Sequence, residues 1–424
     1  MTADTKTRKV PKLRFPGFNG EWEEEMLPNI ADFQEGPGIL AKDFHDDGVP
    51  LIRLSGLSGQ SVTLEGCNYL DPSKVDEKWS HFRLKTGDML VTTSGTLGNV
   101  SEVDSDTVGS VAYTGIIRFR PTNISEKKYL KQLLTSPVFQ RQAKIMSTGA
   151  VLHHFGPTHL KRMKFALPTK DEQEKIAGFL STVDDKVSAI DKKVELLKKY
   201  KKGIMQKIFP STSSVQTPEI RFKDDNGKPL PAWQEKKLGG VMEIGSSKRV
   251  LQKDWQQSGV PFYRTREIIN LAQGKPFRTP IFISENLYDE LSKKYGTPKP
   301  GDMLVTGVGS IGSAYLVDND DKFYFKDGNV LWFRKSEKLD PKFLFQALQT
   351  RFIQKQMADN ASITTVATYT IDGAKNTKVK MPVLEEQQKI ADFLKSLDAK
   401  IELEEKKLEQ AKKFKKSLLQ QMFI

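Results

Sequence analysis

Along residues 171–209 the apolar positions advance in alternating steps of four and three: Ile176, Leu180, Val183, Val187, Ile190, Val194, Leu197, Ile204 and Ile208, with Lys201 as the one polar interruption. That spacing predicts a helix carrying the seam of a coiled coil. Almost the same text returns from Glu385 to Phe423, displaced by 214 positions, as from Ile176 to Ile390. The second seam holds Ile390, Leu394, Leu397, Ile401, Leu408, Ala411, Leu418 and Met422, and its polar breaks are Glu404 and Lys415. Lys201 and Lys415 coincide under the shift. At about 1.5 Å per residue, roughly thirty-three residues of seam make a rod about 50 Å long. An ordinary amphipathic core helix carries a similar stripe, but the length and the duplication favour two rods that bury their stripes against each other.

The rest of the chain is also written twice. Pro11-Lys-Leu-Arg-Phe15 followed by Trp22 and Leu27 returns as Pro218-Glu-Ile-Arg-Phe222, Trp233 and Leu238. Gly48-Val-Pro-Leu-Ile-Arg53 returns as Gly259-Val-Pro-Phe-Tyr-Arg264, a turn feeding a strand. Gly87-Asp-Met-Leu-Val-Thr92 returns letter for letter as Gly301 to Thr306. Short runs rich in Val, Ile, Phe and Tyr, such as 110–120 and 322–334, predict strands. Helices are expected late in each half, over 126–146 and 341–357. Each half therefore reads as a mixed α+β domain with a largely antiparallel sheet, passing through Pro168 or Pro382 into its long helix. The polar stretch 210–217 reads as a linker. Between the anchors the halves share almost nothing, for instance 36–47 against 245–258 and 56–80 against 267–297. A scaffold that repeats while its surfaces diverge suggests one task performed on two targets.

Charge narrows the target. The 424 residues carry a formal net charge of +13. Nine Lys against seven Asp and Glu in 171–209, and nine against eight in 385–424, leave about +10 on the remaining segments. A basic surplus on globular segments favours a polyanion, most often nucleic acid, although a generally solubilising charge gives the same count. One cysteine, Cys67, and five scattered histidines offer no disulfide, CxxC or HxxxH spacing. No run approaches eighteen apolar residues and the N-terminus lacks the apolar centre of a signal peptide, so a soluble protein of the reducing cytoplasm is expected.

Candidate chemistry is sparse. Gly307-Val-Gly309-Ser-Ile-Gly312 has the spacing of a dinucleotide site, but a strand, Ser313 to Val317, follows it where a helix is required. A glycine-rich turn between strands is the better reading, as at its counterpart Ser94 to Gly98. Hydroxyls and exposed amides there, from Ser94, Thr96 and Ser310, suit phosphate contacts. No P-loop, HExxH, GxSxG or base-methyltransferase tetrapeptide occurs, so no catalytic centre is expected. His153 and His154 lie in a glycine-flanked loop before the basic segment containing Lys161. The counterpart loop, 362–370, replaces the pair but holds Thr365 and keeps an aromatic, Tyr369, opposite Phe155. Divergent base reading would use such a loop, and so would a plain solvated loop around one buried aromatic. Arg53, Arg264 and Arg266 at equivalent strand ends suit bidentate contact with guanine or a phosphate, or an ordinary ion pair.

The order of these parts resembles the specificity subunit of type I restriction-modification systems over essentially the whole chain. The motifs are PxLRF with Trp, GDMLVT, a glycine-rich turn, and the EQxKIA element at Glu172 to Ala177 and Glu386 to Ala391 that opens each long helix. The resemblance implies an α+β fold of two tandem mixed α/β target recognition domains, 1–168 and 218–382, each followed by a long helix, 169–209 and 383–424. The helices would pair as an antiparallel coiled coil, an internal pseudo-twofold repeat with Ile176, Leu180, Val183, Val187, Ile390, Leu394, Leu397 and Ile401 in its core. By the same resemblance the chain is a non-catalytic subunit that reads an asymmetric bipartite site in double-stranded DNA. Two methyltransferase subunits using S-adenosylmethionine and two restriction subunits using ATP and Mg would be its partners, with no cofactor on this chain. The one departure, Glu404 on the seam, questions how tightly the second helix packs there. A stand-alone bipartite DNA-binding regulator remains the alternative from the residues themselves, and a solitary nuclease or methyltransferase with other motifs a third.

Overall fold

In the computed structural model, which describes residues 9–57, 59–93, 100–146, 155–210, 217–363 and 367–424, the two seams are single helices of 39 residues, Lys170–Ile208 and Leu384–Met422. They run antiparallel, as their cross-helix ion pairs show. Asp184 meets Lys415 at 2.5 Å and Asp191 meets Lys412 at 3.9 Å, whereas Lys193 meets Glu404 at 3.0 Å and Lys201 meets Asp398 at 2.6 Å. The polar breaks are thereby explained. Lys201 and Lys415 each reach an aspartate on the opposing helix, and that aspartate also accepts from a glutamine of the adjoining domain, Gln346 on Asp398 at 2.9 Å and Gln132 on Asp184 at 2.8 Å. Charges placed so fix register at some cost to seam packing. Glu404 is buried and paired with Lys193.

Chain contacts divide the molecule within these helices, into Met1–Lys192 with Lys406–Ile424, and Lys193–Glu405. In the first unit a four-stranded antiparallel sheet runs in the order Ala31–Glu35, Ile116–Pro121, Met89–Thr92, Val100–Glu102. A three-stranded sheet, Asn68–Leu70, Val49–Ile52, Val111–Ala112, adds one parallel pairing, Leu51 on Val111. The second unit repeats this with Ile244–Gly245, Val330–Phe333, Met303–Thr306, Ala314–Leu316 and with Phe282–Ile283, Val260–Tyr263, Tyr324–Phe325. It adds a hairpin, Ala361–Ile363 with Ala367–Tyr369. Each core combines its sheet, the first turns of the long helix that follows it and the last turns of the other long helix. Leu180 packs with Leu418, Met422 and Phe423 in one, and Leu394 with Ile208 and Phe209 in the other.

The repeated motifs build these junctions. Glu172, almost wholly buried, accepts from Arg14 Nε and Nη2 at 2.8 Å each and from Trp22 Nε1 at 3.2 Å. Glu386 does the same with Arg221, at 2.9 and 2.7 Å, and Trp233, at 3.3 Å. The hydrogen bonds to these carboxylates raise the pKa of both arginines further above the ordinary value. Gln173 and Gln387 bridge two segments: each accepts an amide from the domain, Glu126 N or Asp340 N at 2.8 Å, and donates to the carbonyl of Pro168 or Pro382 at 2.9 Å. The PxLRF segment also ties to the end of the opposing helix, with Leu13 N on Gln421 O at 3.0 Å and Ile220 N on Lys207 O at 3.1 Å. The aspartate of GDMLVT serves the sheet: Asp88 takes both arms of Arg120, and Asp302 takes Trp332 Nε1 at 2.8 Å.

Two expectations change. The helix expected over 126–146 is two helices, Lys127–Thr135 and Pro137–Met146, because Pro137 lacks an N–H and holds Ser136 in extended backbone. That over 341–357 is Pro341–Leu348 and Arg351–Asp359, restarted by Thr350, whose hydroxyl accepts from Ile353 N. The divergent stretch of the second unit also folds into helices, Thr265–Ala272 and Glu285–Tyr295, without long counterparts among the described residues of the first. Among the described residues no helix is long and apolar enough to cross a membrane.

Candidate nucleic-acid interface

In both units the candidate edge lies where the strand that the Gly-Val-Pro motif opens, the middle one of the three-stranded sheet, comes to its end. Gly48 and Gly259 have φ of 117° and 124°, and a Cβ at either would stand 2.3 Å from a neighbouring carbonyl oxygen, so glycine alone allows the turn. The strand then ends at Arg53 or Arg264. Beside it, Tyr113 N donates to Ile52 O at 3.0 Å, and Thr93 N donates to Gly115 O at 3.0 Å just before the glycine-rich turn. The second unit repeats the arrangement with Lys326 N on Tyr263 O and Gly307 N on Asn329 O, each 2.9 Å. Glu35 Oε1 accepts from Gly115 N at 3.1 Å where Ser246 Oγ accepts from Gly328 N at 3.1 Å. The backbone scheme is kept while the side chains that line it change charge.

Gly307 to Gly312 joins two antiparallel strands, with Val305 opposite Ala314, and opens no helix. Ser310 is exposed at its tip. The hairpin lies alongside, with Tyr369 N donating to Gly307 O at 2.8 Å and Val308 bridging Thr368. Tyr369 itself belongs to the core. Its ring is fully buried and its hydroxyl is 2.6 Å from Thr377 Oγ1, and burial pushes its pKa up to about 12. Phe155 is buried likewise. Lys161 is exposed at the end of the short helix Pro157–Leu160. Ser94, Thr96, His153, His154 and Thr365 lie outside the described residues.

The three arginines differ. Arg264 is committed within its unit: Nε and Nη2 donate to Glu267 at 2.9 and 2.8 Å, and its guanidinium lies over Trp255 at 5.5 Å. Burial of Glu267 acts to raise its pKa, but hydrogen bonds from the Arg264 side chain and backbone outweigh that, and the net shift is downward. Arg266 shares Glu267, at 3.0 Å, and Thr279, yet remains more than half exposed. It also borders a cleft of about 480 Å³ with Asn270, Lys275 and Arg278, a basic group that sequence reading did not single out. Arg53 lies over Tyr113 at 3.9 Å and Phe44 at 5.8 Å. Its Nη1 is buried with no hydrogen-bond partner among the described residues.

The sequence matches the family described as type I restriction modification DNA specificity domain twice, over residues 19–199 and 232–413. The chain belongs to the type I restriction-modification specificity subunits. It is 31% identical over 285 residues to the type I restriction enzyme MjaVIII specificity subunit of Methanocaldococcus jannaschii, a match spanning 65% of each chain. The MjaIX specificity subunit of the same organism is 22% identical over 422 residues, covering 98% of this chain and 94% of that one. The crystal structure of a type I S subunit from M. genitalium shares the fold, with a TM-score of 0.57 at 16% identity over 98% of this chain and 99% of that one. Specificity subunits are the non-catalytic, DNA-recognising part of their systems, which accords with two sheet edges built alike and lined differently.

Proposed function

We propose that this specificity subunit reads an asymmetric bipartite site in double-stranded DNA, one unit per half-site, with the paired long helices setting the gap between the half-sites. The observation that carries the reading is the contrast between junctions repeated residue for residue, Arg14, Trp22 and Glu172 against Arg221, Trp233 and Glu386, and edges that share only backbone. A helix of 39 residues extends about 58 Å, enough to separate two readers by one turn of DNA, about 34 to 36 Å. Exposed basic residues on the edges, Lys161, Arg266, Lys275 and Arg278 among them, would meet phosphates and position the units.

On this reading the chain acts in the cytoplasm with two methyltransferase subunits, which bind S-adenosylmethionine and modify an adenine in each half-site, and with two restriction subunits that use ATP and Mg. No cofactor is assigned to this chain. The test is co-expression with the methyltransferase encoded beside it and single-base mapping of methylated adenines. A split, asymmetric motif that appears only with this chain is the expected result. An unbroken palindrome, or no chain-dependent motif, would overturn it.

A further inference from the structure

Arg53 and Arg264 occupy equivalent positions, 211 residues apart, each beneath an aromatic also displaced by 211, Phe44 and Trp255. Their electrostatic surroundings are opposite. Glu267 is 2% exposed and receives Arg264 Nε, Nη2 and backbone N, a bidentate pair that uses the arginine's fork completely. Position 56, which corresponds to Glu267 under the same displacement, is a glycine. No carboxylate replaces it. Arg53 makes no ion pair among the described residues, and Glu35 on the same edge spends its Oε1 on Gly115 N and Thr114 Oγ1.

Arg53 therefore holds a half-buried, uncompensated cation over the face of Tyr113, with one nitrogen enclosed and unpartnered. Holding a guanidinium partly out of water without an acceptor is unfavourable, and the N–H groups that are not enclosed recover part of that cost when an acceptor arrives. The guanidinium is itself a planar fork of donors, so the acceptor that fits is one presenting two lone-pair atoms in a plane. In the DNA major groove that edge is guanine N7 and O6. Resting on the function proposed above, we propose that Arg53 reads a guanine in the half-site of the first unit, whereas Arg264 is a structural member of the second unit and reads no base.

The experiment uses the full chain with its methyltransferase partner and maps the methylated motif for wild type, Arg53→Gln, Arg53→Lys and Arg264→Gln. Both Arg53 variants are expected to relax discrimination by about tenfold or more at one G·C position of one half-site, leaving the other half-site intact. Lysine keeps the charge but lacks the fork, so it separates a base contact from a charge effect. Arg264→Gln is expected to lower the melting temperature and leave the bases of its half-site unchanged. An unchanged motif with Arg53→Gln would overturn the proposal. So would a uniform loss of affinity with a shallower salt dependence, which marks a phosphate contact, or altered base reading in Arg264→Gln. If Arg53→Gln yields no folded complex, Arg53→Lys carries the test alone: a relaxed motif supports the assignment and an unchanged one refutes it. Wild type distinguishes the two levels, since failure of its split motif ends the parent reading, whereas a normal wild-type motif with unaltered Arg53 variants ends only this one.

Discussion

Glu172 and Glu386 do the same work in the same surroundings, while Arg53 and Arg264 start from the same place in the fold and end with different partners. The first pair is repeated because each unit must anchor a 39-residue helix to its sheet, and a buried carboxylate held by arginine and tryptophan does so with fixed geometry. The second pair stands where, on the function proposed above, each unit would meet its half-site. The same starting arginine became an internal ion pair in one unit and an uncompensated charge in the other. Repetition therefore marks what holds each unit together, and divergence marks what each unit is for.

The largest effect that would break this comparison is loss of the anchor. Glu172→Ala and Glu386→Ala are each expected to destabilise by about 2 to 3 kcal/mol, because a partly buried guanidinium and a buried indole N–H lose their shared acceptor. Denaturant unfolding of the full chain measures both. Similar losses support equal roles, and a silent substitution in either unit would deny the equivalence.

Next come the seam lysines. Lys201→Ala and Lys415→Ala should each cost about 1 kcal/mol, since the pairs with Asp398 and Asp184 are partly exposed and each aspartate keeps its glutamine donor. The smallest effect sharpens the arginine contrast. The depressed pKa of Glu267 contributes stability that is present above its ordinary value of 4.5 and is lost as pH falls through the lower folded value. Melting temperatures below pH 4.5 should therefore fall more steeply in wild type than in Glu267→Gln, whereas between pH 5 and 7 the two slopes should run parallel. Equal slopes in acid would remove Glu267 as the charge that commits Arg264.

Periodicity made the long helices legible, since a three-four alternation over thirty residues has few other meanings, and the duplication made the two-unit fold legible. What the repeated motifs do was hidden, because Arg14 and Glu172 are 158 residues apart and only the fold joins them. Pro137 was a local signal for the break in the helix expected over 126–146, and the even apolar text around it concealed that signal. Of the two uses the sequence leaves open for Arg264, a DNA contact or an ion pair, the fold shows an ion pair with Glu267, three residues on. For the loop 362–370 the sequence leaves open a base-reading surface or a loop around one buried aromatic, and Tyr369, at the end of a hairpin strand, is that buried aromatic. Arg53 and Arg264 share a motif position, although Gly56 against Glu267 already separated them in sequence.

The claim that the helices space two independent readers is tested most directly by removing one heptad from each, residues 186–192 and 407–413, and mapping the methylated motif. Seven residues shorten an antiparallel pair by about 10 Å, about three base pairs of DNA. The account predicts that both half-sites keep their bases while the gap between them shortens by about that amount. A folded, active complex that methylates the original motif with its original gap would contradict it.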